Sequence, residues 1–215
     1  LLRSLGATLG TIDAALAGFD HAAAERDLKW DPRRAGWIRG YLRFVENDVR
    51  RALVARLSGW ADAELARLGP ALRLGVIYND ANDHNVLADG LDGYSRRVTS
   101  VIDFGDMLRS WTVNELAVAA AYAMLDKPDP IAAAAPIVAG YHAARTLSDD
   151  EIDSILPLII RRLCVSVVNS AHQRHIEPGH AYLFVTERPG WQLLGQLKSV
   201  HPRLAAATFR AACGL

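Results

Sequence analysis

Val76-Ile77-Tyr78-Asn79-Asp80-Ala81-Asn82-Asp83-His84-Asn85-Val86-Leu87 sets two short apolar runs around a polar loop, and the next apolar run is Val98 to Ile102. The residues between, Ala88-Asp89-Gly90-Leu91-Asp92-Gly93, are turn formers, so Val86-Leu87 and Val98 to Ile102 are predicted to pair as a β-hairpin. An antiparallel hairpin returns its second strand to where its first began. Asn85 opens one strand and Asp103 closes the other, so both fall at one end of the hairpin, beside the loop that holds Asp80. An earlier strand-like run, Leu72 to Tyr78, leads into that loop.

Outward from this centre the pattern is helical. Leu2, Leu5, Leu9, Ile12 and Leu16 fall at helical spacing within Leu1 to Gly18, and a loop from Phe19 to Asp31 follows. Asp31-Pro32 marks the next helix start, predicted to run to about Leu57 with Trp37, Tyr41, Phe44, Val45, Val49 and Leu53 as its buried stripe. Ser58-Gly59 interrupts the pattern before a short helix to Leu68. From Trp111 onward helices are expected, broken at Lys127 to Pro130, Leu147 to Asp150, Glu177 to Gly179 and His201-Pro202, and Ser148 with Glu151 forms a capping box. The fold class is α+β, mainly α-helical, with residues 1–215 as a single domain carrying a small β-hairpin.

Composition narrows the functional classes. Apolar residues make up 51% of the 215 residues, which excludes a disordered chain. Basic and acidic side chains balance at 24 each and the Arg pairs are scattered among acids, so no nucleic-acid partner is expected. No apolar run reaches the roughly 20 residues a membrane span needs. Cys164 and Cys213 are the only cysteines, which fits a reducing, cytoplasmic setting. Cys164, amid Leu163, Val165 and Val167, reads as a small buried apolar residue.

The polar residues around the hairpin carry the chemistry. An Asp and an Asn oxygen suit Mg²⁺, a hard cation that completes its octahedron with water and phosphate oxygens. Asp80, Asn85 and Asp103 follow Asp-x-x-x-x-Asn and then Asp-Phe-Gly. In kinases this is the order of the catalytic Asp, which takes or orients the proton of the attacking hydroxyl, and two metal ligands. Asp80 is therefore the candidate catalytic residue, with Asn85 and Asp103 as candidate Mg²⁺ ligands. Glu115, at the start of an apolar helix, is placed either to meet a cationic acceptor or to favour the helix dipole. Asp106 either contacts the acceptor or caps, and Trp30-Asp31 either walls the cleft or begins a helix. His172, His175 and His180 read as a solvated helix end rather than a zinc site, because Glu177 is the only adjacent fourth ligand.

Val76 to Leu87, followed by Val101-Ile102-Asp103-Phe104-Gly105-Asp106-Met107, resembles the aminoglycoside phosphotransferase and choline kinase superfamily, and within it the hydroxylysine kinase branch. The likeness extends to Glu115-Leu116-Ala117, Ala119 to Leu125, Trp30-Asp31 and the closing helices, although only the two central motifs are specific. It implies a kinase-like C-terminal lobe, ATP or GTP as phosphate donor, and a small amino compound bearing a hydroxyl as acceptor. Tyr78 stands where the family usually has His, and Asn79 where Gly is commoner. A Gly-rich strand turn and a strand-borne Lys are needed to grip the nucleotide. No Gly-x-Gly occurs, and Lys29, Lys127 and Lys198 all lie outside apolar strands. Together with the start at Leu1, this leads us to expect one lobe of a two-lobe enzyme whose N-terminal lobe precedes Leu1. A noncatalytic helical binding module on the same scaffold is the alternative.

Overall fold

The computed structural model describes residues 1–90, 96–179, 184 and 186–215. Its spine is α6 (Asp149–Ile176), a 28-residue helix buried along most of its length. The Ser148 and Glu151 capping box starts it as the sequence suggests, with Glu151 N donating to Ser148 Oγ at 3.2 Å and Ser148 N donating to Glu151 Oε2 at 2.9 Å. α3 (Asp48–Leu68), α4 (Val113–Ala123), α7 (Glu187–Leu197) and α8 (Pro202–Cys213) all pack on it. α1 (Leu2–Ala15) lies against α5 (Pro130–Ala144), and Leu9, Ile137, Leu116 and Ile159 are among the fully buried side chains joining these layers.

α1 and α5 approach to backbone contact. A Cβ on Gly6 would lie 1.9 Å from the Ile137 carbonyl oxygen, and one on Gly140 would lie 2.0 Å from that of Arg3. Only residues without a side chain allow two helices this close.

The region expected as one helix from Pro32 to Leu57 is instead broken. A 3₁₀ segment (Pro32–Trp37), one short helix α2 (Ile38–Tyr41) and a further 3₁₀ turn (Leu42–Phe44) precede α3. Asn47 is the reason: it is extended and its side chain accepts from Arg50 N at 3.0 Å, so it caps a new helix. α3 then runs unbroken through Ser58-Gly59. Val49, predicted to be buried, is 80% exposed in the first turn of α3.

Two antiparallel strand pairs complete the fold. β2 (Val86–Asp89) and β3 (Arg97–Val101) form the predicted hairpin, with Val86 opposite Val101, and part of its turn lies outside the described residues. β1 (Leu74–Ile77) pairs not with the hairpin but with β4 (Leu108–Trp111), Ile77 opposite Leu108. Leu108-Arg109-Ser110-Trp111 alternates buried and half-buried residues, yet Ser110 occupies a buried position and hides the apolar alternation. The strand therefore leaves little trace in the sequence. No described helix is long and apolar enough to cross a membrane.

Candidate active site

β1 delivers the chain into the polar loop. Tyr78 is fully buried, its hydroxyl donates to the Ile102 carbonyl, and its ring meets Phe104 edge-on at 5.1 Å. The side chain that replaces the family's His thus ties the loop to the residue just before Asp103. Asn79 follows with φ of 67°, a left-handed conformation that explains why Gly is usual there. The turn at Asn79 brings Asp80 to the edge of a cleft.

Asp80 is held on both oxygens. Asn82 Nδ2 donates to Oδ1 at 3.0 Å, and Asn85 Nδ2 donates to Oδ2 at 2.6 Å and to the Asp80 carbonyl at 3.1 Å. Partial burial raises the Asp80 pKa, while the Asn82 hydrogen bond and the Arg162 charge work against that rise. Because Asn85 points its amide nitrogen at Asp80, its amide oxygen faces elsewhere. Hairpin pairing continues one step beyond the strands, as Ile102 N donates to the Asn85 carbonyl at 3.0 Å. Asp103 therefore emerges at the same end as Asn85. It is exposed, has φ of 61°, and takes Gly105 N on Oδ1 at 3.1 Å.

These donors fit Mg²⁺ arriving with a nucleotide. Asn85 and Asp103 supply hard oxygens, and such a Mg²⁺ keeps several positions for phosphate and water. Among the described residues no three His, Cys, Asp or Glu side chains gather as a closed metal site. His172 instead packs edge-on against Tyr41 at 4.6 Å and near Phe44 at 4.7 Å, while His175 is exposed at the helix end. His180 lies outside the described residues.

Asp106 is half-buried and lines the cleft of about 210 Å³ beside Asp80, with Trp30, Tyr122, Arg162 and Asn169 in the walls. Glu115 is elsewhere. It is fully buried beneath the loop and takes Asn79 N on Oε2 at 2.8 Å, so the acceptor contact considered for it gives way to a brace under the loop. Burial and the charge of Asp13 push its pKa up to about 8. Asp31 is also interior: it accepts from Ser110 Oγ at 2.7 Å, Asn114 Nδ2 at 3.2 Å and Arg33 N at 2.9 Å, pinning the Trp30 segment to β4 and α4. Cys164 is buried, as its neighbours suggest.

The sequence reading missed Arg162. Its side chain is 3% exposed, donates to the Trp30 carbonyl at 2.7 Å and the Tyr122 hydroxyl at 3.2 Å, and stands 3.8 Å from Asp80 Oδ1. A signal existed, because Arg161-Arg162 interrupts the otherwise apolar run Leu158 to Val165. Lys, Arg and other charged residues are almost never fully buried unless paired.

An organised Asp, Asn and Asp-Phe-Gly set on a helical lobe defines the class of kinase-like phosphotransferases. The chain belongs to the phosphotransferase enzyme family, whose profile matches residues 1–151. It is 27% identical over 205 residues to a hydroxylysine kinase of Danio rerio, covering 92% of this chain and 57% of the relative. The hydroxylysine kinase of Mus musculus is 26% identical, with 91% and 54% covered. The chain thus spans about half the length of the curated relatives it matches. Among solved structures, a microcompartment-associated aminopropanol kinase superposes with a TM-score of 0.70 at 20% identity, covering 92% of this chain and 62% of that one. An amicoumacin kinase in complex with AMP-PNP, Ca²⁺ and Ami gives 0.61 at 12% identity, with 94% and 61% covered.

Proposed function

We propose that this chain is the acceptor-binding, catalytic lobe of a small-molecule kinase that transfers the γ-phosphate of ATP or GTP to a hydroxyl of a small amino compound. The observation that carries this reading is Asp80, whose carboxylate is fixed by Asn82 and Asn85 at the edge of a cleft. Asp80 orients the acceptor hydroxyl and takes its proton as the new oxygen–phosphorus bond forms and the bond to the leaving nucleoside diphosphate breaks. Partial burial raises its pKa above the ordinary carboxylate value, which makes it a stronger base than a solvated carboxylate. Asn85 and Asp103 hold Mg²⁺, which neutralises the developing phosphate charge when bound. Asp106 faces the acceptor's amine, and Tyr78 and Glu115 keep the loop in place from below. The Gly-rich turn and strand-borne Lys that grip a nucleotide in kinases do not occur in this sequence.

Asp80→Asn in the full-length protein tests this. The expected result is a fall in kcat of roughly 10²- to 10⁴-fold with nucleotide affinity retained. Undiminished phosphotransfer, or none in the wild type with any hydroxylated amine, would favour a noncatalytic binding module instead.

A further inference from the structure

Two neighbouring arginines of α6 are buried, and their partners differ. Arg161 Nη2 stands 2.8 Å from Asp62 Oδ1 on α3, an ion pair that ties two core helices together. Arg162 lines the Asp80 cleft, and among the described residues its ion pair is with Asp80, Nη2 to Oδ1 at 3.8 Å. Taking a guanidinium out of water is costly, and an apolar side chain of similar size serves stability as well or better. A charge kept at position 162 therefore calls for a role beyond packing.

The guanidinium is fixed before any acceptor arrives. Nη1 donates to the Trp30 carbonyl at 2.7 Å, Nη2 donates to the Tyr122 hydroxyl at 3.2 Å, and the two rings lie 4.9 and 5.6 Å from its centre. The Trp30 anchor is itself held, because Asp31 beside it accepts from Ser110 on β4 and Asn114 on α4. Nη2 carries two hydrogens and Tyr122 takes one, which leaves the other for Asp80. At 3.8 Å that contact is one of charge, since a hydrogen bond needs a closer approach.

The other side chains on the Asp80 carboxylate come from its own loop, Asn82 on Oδ1 and Asn85 on Oδ2. Those bonds set the carboxylate relative to the loop. Arg162 sets it relative to α6, which supplies a wall of the cleft. We propose that Arg162 is a positioning residue for phosphotransfer: anchored on Trp30 and Tyr122, its guanidinium holds the Asp80 carboxylate in register with the wall against which the acceptor hydroxyl is presented. This rests on the reading of Asp80 as the residue that orients that hydroxyl, and it adds a second determinant of the geometry from a distant part of the chain.

A double-mutant cycle in the full-length protein tests it, with radiolabelled MgATP and MgGTP as donors and 5-hydroxylysine, 1-amino-2-propanol and ethanolamine as acceptors. Arg162→Gln is expected to lower kcat roughly 10- to 100-fold, the scale of a small misplacement of a catalytic group, with much less change in the acceptor KM. Beside Asp80→Asn the same substitution should cost less than about twofold, because the group that it positions is gone. Arg162→Lys, which keeps the charge, should recover part of the loss. Arg161→Gln removes the neighbouring buried arginine and should lower the unfolding midpoint while leaving kcat within about twofold. The proposal is overturned if Arg162→Gln leaves kcat within about twofold, if its loss multiplies with that of Asp80→Asn, or if Arg161→Gln costs kcat as much. Should Arg162→Gln fail to fold, the cycle with Arg162→Lys decides, where a smaller loss that vanishes beside Asp80→Asn is expected. Each of these failures leaves the role of Asp80 standing. Turnover of none of the acceptors counts against phosphotransfer itself and removes this proposal with it.

Discussion

Asn79 shows how one residue reports on the loop it belongs to. Its backbone is left-handed, a conformation costing most side chains roughly 1–2 kcal/mol, and both polar atoms of its buried amide lack partners. Asn79→Gly is expected to raise stability by about 1 kcal/mol, since it removes the strain and the unsatisfied amide together, and Asn79→Ala, which removes the amide but keeps the left-handed strain, should be about 1 kcal/mol less stable than Asn79→Gly. Urea unfolding of the two variants checks that order. Glu115 makes a pH-dependent statement. Its carboxyl titrates near 4.5 in an unfolded chain and near 8 when buried here, so the folded state binds the extra proton between those values. Its contribution to stability is complete below about pH 4.5 and is lost as pH climbs toward 8, by up to roughly 1.4 kcal/mol per pH unit. Glu115→Gln keeps an acceptor for Asn79 N and removes the titration, so its melting temperature should gain on the wild type steadily from pH 5 to about pH 8. Parallel curves across that window would show that Glu115 is not protonated in the fold. The motif spacing made Asp80, Asn85 and Asp103 legible in the sequence. The direction of Glu115 was not, because a helix's first turn has faces toward solvent and toward the core, and only packing chooses between them.

Helix ends and the hairpin were readable as elements because their signals are local. Ser148 with Glu151, Asp129-Pro130 and His201-Pro202 all cap or start helices where expected. Two elements depart from the local pattern: Asn47 caps a new helix, and Gly59 does not break it. A glycine inside a helix costs about 1 kcal/mol relative to alanine, and that is less than α3 gains by burying Val54, Leu57, Ala61, Leu65 and Leu68. Glycines therefore mean different things in different elements. Gly59 has no atom within 4 Å of where a Cβ would stand, so Gly59→Ala should stabilise by about 0.5–1 kcal/mol. Gly140 faces the Arg3 carbonyl at 2.0 Å from that point, so Gly140→Ala must push α1 off α5 and should cost about 3 kcal/mol or more. Denaturant midpoints for the pair check both directions, and a mild Gly140→Ala would mean that the two helices pack with more room than the backbone contact implies.

At the scale of the whole molecule, α6 organises both the core and the cleft. Its buried face holds α3, α4, α7 and α8, and the same helix carries Arg162 to Asp80 and Asn169 to the cleft wall. The core and one wall of the cleft are thus built on one element, which keeps the cleft's polar groups rigid. β1 and β4 hold the entry to the Asp80 loop, and Tyr78 links that loop to the hairpin's open end. By itself the sequence determined what depends on neighbours along the chain: the predominance of helix, most of the breaks, the hairpin, and the spacing of Asp80, Asn85 and Asp103. These follow from periodicity, capping and turn chemistry, all of which act over a few residues. Only the tertiary structure decided which distant groups meet. Arg162 beside Asp80, Glu115 beneath Asn79, Asp31 on Ser110 and Asn114, and the β1–β4 pair all join residues far apart in the chain. The physical reason is that periodicity tells a helix which face to bury but not against what. A charge acquires its role from the desolvation and the opposing groups that packing places around it.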